Sequence, residues 1–401
     1  MAELSSATLP PMRPFWLTRI FWTIALGLFI DAYVYGVAAV SISWVPHTPG
    51  VSTLLLVWAP ATLAIGIALG GWLADLVGRR ILLQAAPLGC FAGALILFVG
   101  PGLYPALVSS FLLLTTAGIE SAGILAYSQE LVPEPMRHTA LTAELGFVNL
   151  GGVSLAALAY TGGYVGARAL RDFIALVPLV LALFSLTLRR RLPESRLWQK
   201  RRSRAPLPPD YLIRFSVAAV FSIASTAGFS LLAFAFGAEF LPSHFHHMLL
   251  ISTATAFLVG LGARRLAQLP PKRTLLAAYG LALATSLALF WVRRPSHPGF
   301  WPILFVLSGL SSISYITEDT MTAKKWPSSI RARALAGTRV AGLAGYSVIL
   351  LLVNGGGLNR FLAAMAAVWA LGLGAAILWR LVGHTPFTAW LLKLRRVGKV
   401  R

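Results

Sequence analysis

The chain has 401 residues, 57% of them hydrophobic and only 12% charged, whereas ordinary soluble domains are about a quarter charged. That composition excludes a soluble globular protein, and so large an apolar content also excludes intrinsic disorder. The 34 Lys and Arg against 13 Asp and Glu give a net charge of +21, but the bases fall in short bursts between apolar runs. This is the pattern of the cytoplasmic side of a polytopic membrane protein rather than of nucleic-acid binding.

Apolar stretches of about 20 residues, enough to cross the hydrocarbon as a helix, are predicted at 20–44, 51–73, 81–99, 105–128, 139–162 and 172–190. Six more follow at 213–239, 246–263, 274–292, 300–323, 333–353 and 359–381. The leading segment, with Pro10, Pro11 and Pro14, lacks a small-residue cleavage site and is not read as a removable signal. Arg168, Arg171, Arg293, Arg294 and Arg360 fall on one side of these spans and most other bases on the opposite side. The richer side is predicted to be cytoplasmic, with both termini there. Cys90 is the only cysteine, so no intrachain disulfide and no cysteine-based metal cluster is possible.

The chain repeats itself. Pro133, Arg137, Ala140 and Leu141 recur as Pro327, Arg331, Ala334 and Leu335, and Gly151 recurs as Gly345, all at one constant offset. The densest basic run, from Arg189 to Arg204, continues into Pro206, Pro208 and Pro209 and forms the joint. The expected organisation is a six-helix bundle at 1–190, a basic linker at 191–212, a second bundle at 213–381 and a basic tail at 382–401. Parallel six-span repeats place a substrate site midway across the membrane, between the halves.

Gly71-Trp72-Leu73-Ala74-Asp75-Leu76-Val77-Gly78-Arg79-Arg80 resembles the loop between spans 2 and 3 of the major facilitator superfamily. Gly70 and Gly71 allow close helix approach, Gly78 allows a tight turn, and Asp75 is placed to pair with a cytoplasmic Arg and cap a neighbouring helix. Tyr127-Ser128-Gln129-Glu130-Leu131-Val132-Pro133 with Arg137, and Pro193-Glu194-Ser195-Arg196-Leu197-Trp198, resemble the sugar-porter and metabolite–proton symporter branch. The resemblance implies an all-α membrane protein of twelve transmembrane helices in two pseudo-symmetric bundles, working by alternating access. It implies cytoplasmic gating by Gly71, Asp75, Gly78, Arg79, Arg80, Glu130, Arg137, Glu194, Arg196 and Arg331. Departures are equally legible. Span 7 lacks the paired glutamines of sugar porters, which disfavours a polyol substrate; Ser110-Phe111-Leu112 stands where an Arg often opens span 4; and Phe147-Val148-Asn149-Leu150-Gly151-Gly152 replaces the antiporter pattern of span 5.

Ionisable residues within spans are functional candidates because insertion at mid-membrane costs about 2.5–3.5 kcal/mol each. Asp31, in Phe29-Ile30-Asp31-Ala32-Tyr33-Val34-Tyr35-Gly36, is the first candidate for carrying a proton, joined by Glu120 and Glu144. The alternative for Asp31 is a packing bond to a nearby Tyr, and for Glu120 a charge-paired interhelical contact. Arg339 offers a planar fork to a carboxylate or phosphate, or else a permanent partner for Glu144 or Glu318. Tyr33, Tyr35 and the mid-membrane amide Asn149 are candidates for substrate contact. Two residues apart on a helix, Tyr33 and Tyr35 cannot share a face. Glu318 and Asp319, ahead of Lys324-Lys325, are expected in a cytoplasmic latch mirroring Glu130.

His244-Phe245-His246-His247, with Glu239 as its acidic neighbour, reads as an interfacial loop rather than a metal site. Trp16, Trp22, Trp44, Trp291, Trp301 and Trp379 stand near span ends as interfacial anchors.

The expected function is a secondary active transporter in the cell membrane, a monomer among lipids, moving a small anionic metabolite with protons. It needs no cofactor, metal or nucleic acid. Alternatives are transport of an organic cation or sugar, uncoupled facilitation, or a membrane sensor. An enzyme and a channel are disfavoured, because no nucleophile–base constellation and no charged ring is apparent.

Overall fold

The computed structural model describes residues 18–43, 49–100, 102–132, 136–200, 211–266, 268–323, 326 and 330–382. Trp16, Trp44, Pro133, Pro327, Lys324, Lys325, the prolines at 10, 11, 14, 206, 208 and 209, and the tail beyond 382 lie outside the described residues. The apolar runs form helices throughout, since a backbone in hydrocarbon must satisfy its own polar groups. The first half contains α1 (Arg19–Ser43), α2 (Pro49–Val77), α3 (Arg79–Val99), α4 (Leu103–Leu131), α5 (Arg137–Val165) and α6 (Ala167–Arg189). The second contains α7 (Tyr211–Phe240), α8 (Phe245–Leu261), α9 (Pro271–Ala288), α10 (Phe300–Ala323), α11 (Arg331–Val353) and α12 (Gly357–Val382).

Among the described residues, 11 helices are long and apolar enough to cross a membrane. The exception is α9, whose 18 residues open with Pro-Lys-Arg and leave no purely apolar window. A short helix, Arg196–Lys200, follows α6. Within α7, residues Leu231–Phe236 form a π-helical segment that no periodicity announced; such segments recur at functional sites.

The helices of each half pack mainly on one another, and α2 against α11 together with α5 against α8 joins the halves. These pairs are repeat equivalents, because the offset carries α2 onto α8 and α5 onto α11. The repeat is reproduced in detail. Arg137 Nε donates to the Val132 carbonyl at 2.9 Å, and Arg331 Nε donates to the Trp326 carbonyl at 3.2 Å, five residues back in both cases. A Cβ on Gly151 would meet the Phe29 backbone of α1; one on Gly345 would meet Ile223, the residue equivalent to Phe29, on α7.

Close approach of α2 and α4 depends on glycine. Gly66 and Gly70, one turn apart on α2, lie against the backbone of Thr115 and Ile119, while Gly118 lies against the backbone of Leu63 and Ile67. With lipid as apolar as the side chains, helix association relies on such small-residue packing. Gly118→Val is therefore expected to force α2 from α4 and to destabilise the first half by about 1–3 kcal/mol, the usual cost of overpacking. The measurement is the melting temperature of the purified protein in detergent, and an unchanged value would refute this account of the α2–α4 contact.

Candidate functional site

Two groups of side chains carry the chemistry: a charge cluster at the basic end of the helices and a cavity near mid-length. The cluster is built around Arg79, fully buried at the start of α3. Its Nη1 donates to the Ala74 carbonyl at 2.8 Å, and its Nη2 lies 2.9 Å from Asp75 Oδ1 and 3.2 Å from Glu130 Oε1. Both carboxylates also face the second half. Asp75 Oδ2 accepts the Arg333 backbone N–H at 3.3 Å and lies 3.4 Å from its Nε. Glu130 Oε1 lies 3.7 Å from Arg331 Nη1. Asp75 thus meets both a guanidinium and the positive N-terminus of α11, two independent attractions for an anion.

Gly78 has φ +105°, a backbone conformation that strains any side chain, and a Cβ there would collide with Glu194. Glu194 comes from the segment after α6 and accepts the backbone N–H groups of Arg79 at 3.2 Å and Arg80 at 3.1 Å. It caps α3 in place of a local N-cap. Its neighbours anchor it: Tyr127 Oη donates to the Pro193 carbonyl at 2.6 Å, and Trp198 Nε1 to the Asp75 carbonyl at 3.3 Å. Arg80 and Arg196 are exposed, and neither forms an ion pair among the described residues. Gly71 seats α2 against Ala336 of α11. An apolar layer from both halves, including Leu141, Leu145, Ile316 and Leu335, completes the closure at this end.

Above that layer lies a cavity of about 230 Å³ between the halves. Asp31, Tyr35 and Asn149 reach it from the first half, and Glu318, Asp319 and Arg339 from the second. Both carboxylate oxygens of Asp31 are buried without a hydrogen-bond partner. Glu318 Oε2 accepts a hydrogen bond from Ser225 at 2.6 Å. Arg339 Nη2 donates to Asp319 Oδ2 at 2.5 Å and lies 3.4 Å from the Tyr315 hydroxyl. Asn149 Nδ2 crosses to the second half, donating to the Ala256 carbonyl at 2.8 Å and to Ser312 Oγ at 3.0 Å. Tyr35 stands edge-on to Phe234 of the π-helical segment, with ring centroids 5.5 Å apart.

Several expectations are corrected. Glu318 and Asp319 line the cavity rather than the basic-end latch, because α10 turns both toward the centre. Glu144 and Arg339 do not pair: Glu144 is fully buried and accepts from Ser128 at 2.5 Å, while Arg339 is held by Asp319. Glu120 is not on the cavity wall; it is ion-paired with Arg189, whose Nη1 also donates to the Leu83 carbonyl at 2.8 Å. Arg189, counted from sequence with the basic linker, points back into the first bundle and is buried. Tyr33 faces away from the cavity, its hydroxyl donating to the Ile174 carbonyl at 3.2 Å. Arg137 bonds within its own turn and makes no ion pair with the second half among the described residues. Among the described residues no group of three or more His, Cys, Asp or Glu is placed to hold a metal.

The sequence matches the family model of the Major Facilitator Superfamily over residues 21–350. The chain belongs to that superfamily, whose members are transporters rather than enzymes. Its fold is similar to that of the proton:xylose symporter XylE bound to 6-bromo-6-deoxy-D-glucose, with a TM-score of 0.71 at 16% identity, covering 90% of this chain and 94% of that one. It is also similar to the human organic anion transporter MFSD10, with a TM-score of 0.69 at 16% identity, covering 92% of this chain and 100% of that one. No curated protein matches the sequence.

The charge cluster makes a measurable claim. Cys90, the only cysteine, is buried, so Thr226→Cys on the cavity wall adds a single accessible reporter thiol. Adding Asp75→Asn is expected to raise its labelling by a membrane-impermeant maleimide from the basic end about fivefold, as a loss of about 1 kcal/mol of closure energy would give. Unchanged labelling would show that Asp75 does not hold that end shut.

Proposed function

We propose that this chain is a proton-coupled secondary transporter that carries a small charged metabolite through the central cavity, as a symporter and a monomer. The basic end faces the cytoplasm with both termini, in the cell membrane. The observation that carries the reading is Asp31, a buried carboxylate with both oxygens unpartnered, on the wall of a cavity between two halves. A charge so placed is costly unless it is neutralised, and a proton neutralises it without altering the fold. Asp31 then loads a proton on the side where protons are plentiful and releases it once the cavity opens to the other. Glu120 is tied to Arg189, and Glu144, bonded to Ser128 through one oxygen, is not among the cavity-lining residues, which leaves Asp31 as the principal proton site.

The size of the cavity supports a small solute, since pockets for drug-sized ligands span about 300–1,000 Å³. Arg339 supports an anionic group on that solute. Only its Nη2 has a hydrogen-bond partner among the described residues, so its Nη1 keeps N–H donors for a charge-assisted bond to an anion. A cationic solute is the second reading, favoured by the excess of acids on the wall: Asp31, Glu318 and Asp319 against Arg339 alone. The closure by Asp75, Glu130, Arg331 and Arg333 would be broken and remade in each cycle.

Proton uptake into proteoliposomes, followed with an interior pH dye against carboxylates, phosphate, sugars, amines and amino acids, tests this directly. The expected result is lumen acidification with one solute class, growing as the external pH is lowered, and abolished by Asp31→Asn. Solute entry without any pH change, or undiminished acidification in Asp31→Asn, would overturn the assignment of Asp31 as proton carrier.

A further inference from the structure

The two substrate readings each rest on one observation, and a single chemistry satisfies both. Ser311, Tyr315, Glu318 and Asp319 fall at i, i+4, i+7 and i+8 along α10, one stripe of a helix, and all four line the cavity. Their roles divide. Asp319 is committed to Arg339. Glu318, held by Ser225, forms no ion pair among the described residues. Ser311 Oγ is buried without a hydrogen-bond partner. The second-half wall therefore presents to one cavity the partner-free Nη1 of a guanidinium, a carboxylate outside any ion pair among the described residues and an unpartnered hydroxyl.

Net charge decides between candidate ligands. With Asp31 protonated, a bare anion would add a third negative charge to a wall with the Glu318 and Asp319 carboxylates and one guanidinium. A bare cation would leave the partner-free Nη1 of Arg339 unanswered, and desolvated charged groups left without partners are strongly disfavoured. A zwitterion adds no net charge and answers both groups. The remainder of the wall, including Leu63, Ile67, Phe229, Phe234 and Leu343, is apolar and suits an uncharged body.

We infer that the transported solute is a zwitterion of amino-acid size with an apolar side chain. Its carboxylate meets the partner-free Nη1 of Arg339, and its ammonium meets Glu318 and Ser311. The inference rests on the transporter reading, because it takes the cavity as the substrate site. It leaves Asp31, on the opposite wall, free to hold the proton.

The test uses the full-length protein in proteoliposomes and compares leucine, phenylalanine and proline with 4-methylpentanoate and 3-methylbutylamine, which keep the body of leucine and lack its ammonium or its carboxylate. Exchange of labelled amino acid is expected, with each analogue competing at least about tenfold more weakly than leucine, because a site built around a polar group rejects ligands without it. Glu318→Gln is expected to weaken leucine and to remove the discrimination against 4-methylpentanoate. If that variant does not fold, the analogue series on the unaltered protein decides alone. Either analogue exchanging as well as the amino acids, or no amino acid exchanging, overturns the zwitterion assignment. Proton-coupled entry of another solute class in the same vesicles would leave the transporter reading standing, whereas no solute-driven proton uptake of any kind would remove that reading as well.

Discussion

The guanidinium of Arg79 is the point on which the architecture turns. A cation with no solvent exposure survives in an apolar bundle only if its donors are answered, and the answers come from three directions. The Ala74 carbonyl and Asp75 close the turn between α2 and α3, and Glu130 fixes the end of α4. Asp75 and Glu130 then present their remaining oxygen surface to Arg333 and Arg331 of the second half. One buried cation therefore organises the first bundle and prepares the anions that grip the second. Because the gripping pairs are less buried than Arg79 itself, with the Arg333 side chain 52% exposed, the contact between halves is the part that yields first. An exposed pair such as Asp75–Arg333 contributes at most about 1 kcal/mol, whereas Glu130–Arg331, with side chains 0% and 12% exposed, is the more buried contact between the halves.

The same need for pairing separates structural charges from working ones. Glu120 with Arg189 and Asp319 with Arg339 are neutral couples, and Glu144 has a hydroxyl donor. Asp31, Glu144 and Glu318 have no ion-pair partner among the described residues, and of these Asp31 and Glu318 stand on the cavity wall. In a low-dielectric setting such groups are maintained against a cost of several kcal/mol. Under the proposed function, that cost is offset when the proton and the charged solute bind.

Much of the architecture was legible in the residues. Apolar run length gave the helices, and the constant offset of Pro133, Arg137, Ala140 and Leu141 gave two halves whose arginine turns and glycine contacts coincide. The glycine and arginine of the α2–α3 turn stood out through the family resemblance of their motif, and φ +105° at Gly78 supplies the physical reason for the glycine. Side-chain direction was harder to read. At about 100° per residue, a small error in helix rotation moves Glu318 from a latch to a cavity wall. Arg189, the last residue of α6, looks from sequence like the first member of a solvated basic run, and nothing in its neighbours reveals that Glu120 draws it inward. The π-helical segment at Leu231–Phe236 has no composition to mark it. Pairing of acid with base across helices is a property of the packed bundle, so the partners of Glu144 and Arg339 could not be read from spacing along the chain.

The repeat finally explains why the two walls of the cavity differ. Duplicated backbones place equivalent positions at equivalent depths, and the offset that carries Arg137 onto Arg331 carries Asp31 onto Ser225. In the first half that position supplies an unpartnered carboxylate; in the second it supplies the hydroxyl that bonds the Glu318 carboxylate at 2.6 Å. Asn149 and Leu343 are likewise equivalent, and both line the cavity, one bridging the halves and one purely apolar. A symmetric scaffold thus holds an asymmetric site, with an isolated acid on one side and an ordered array of hydroxyls, carboxylates and a guanidinium on the other. Under the proposed function, such a division assigns protonation to one half and solute recognition to the other, with the shared cavity between them.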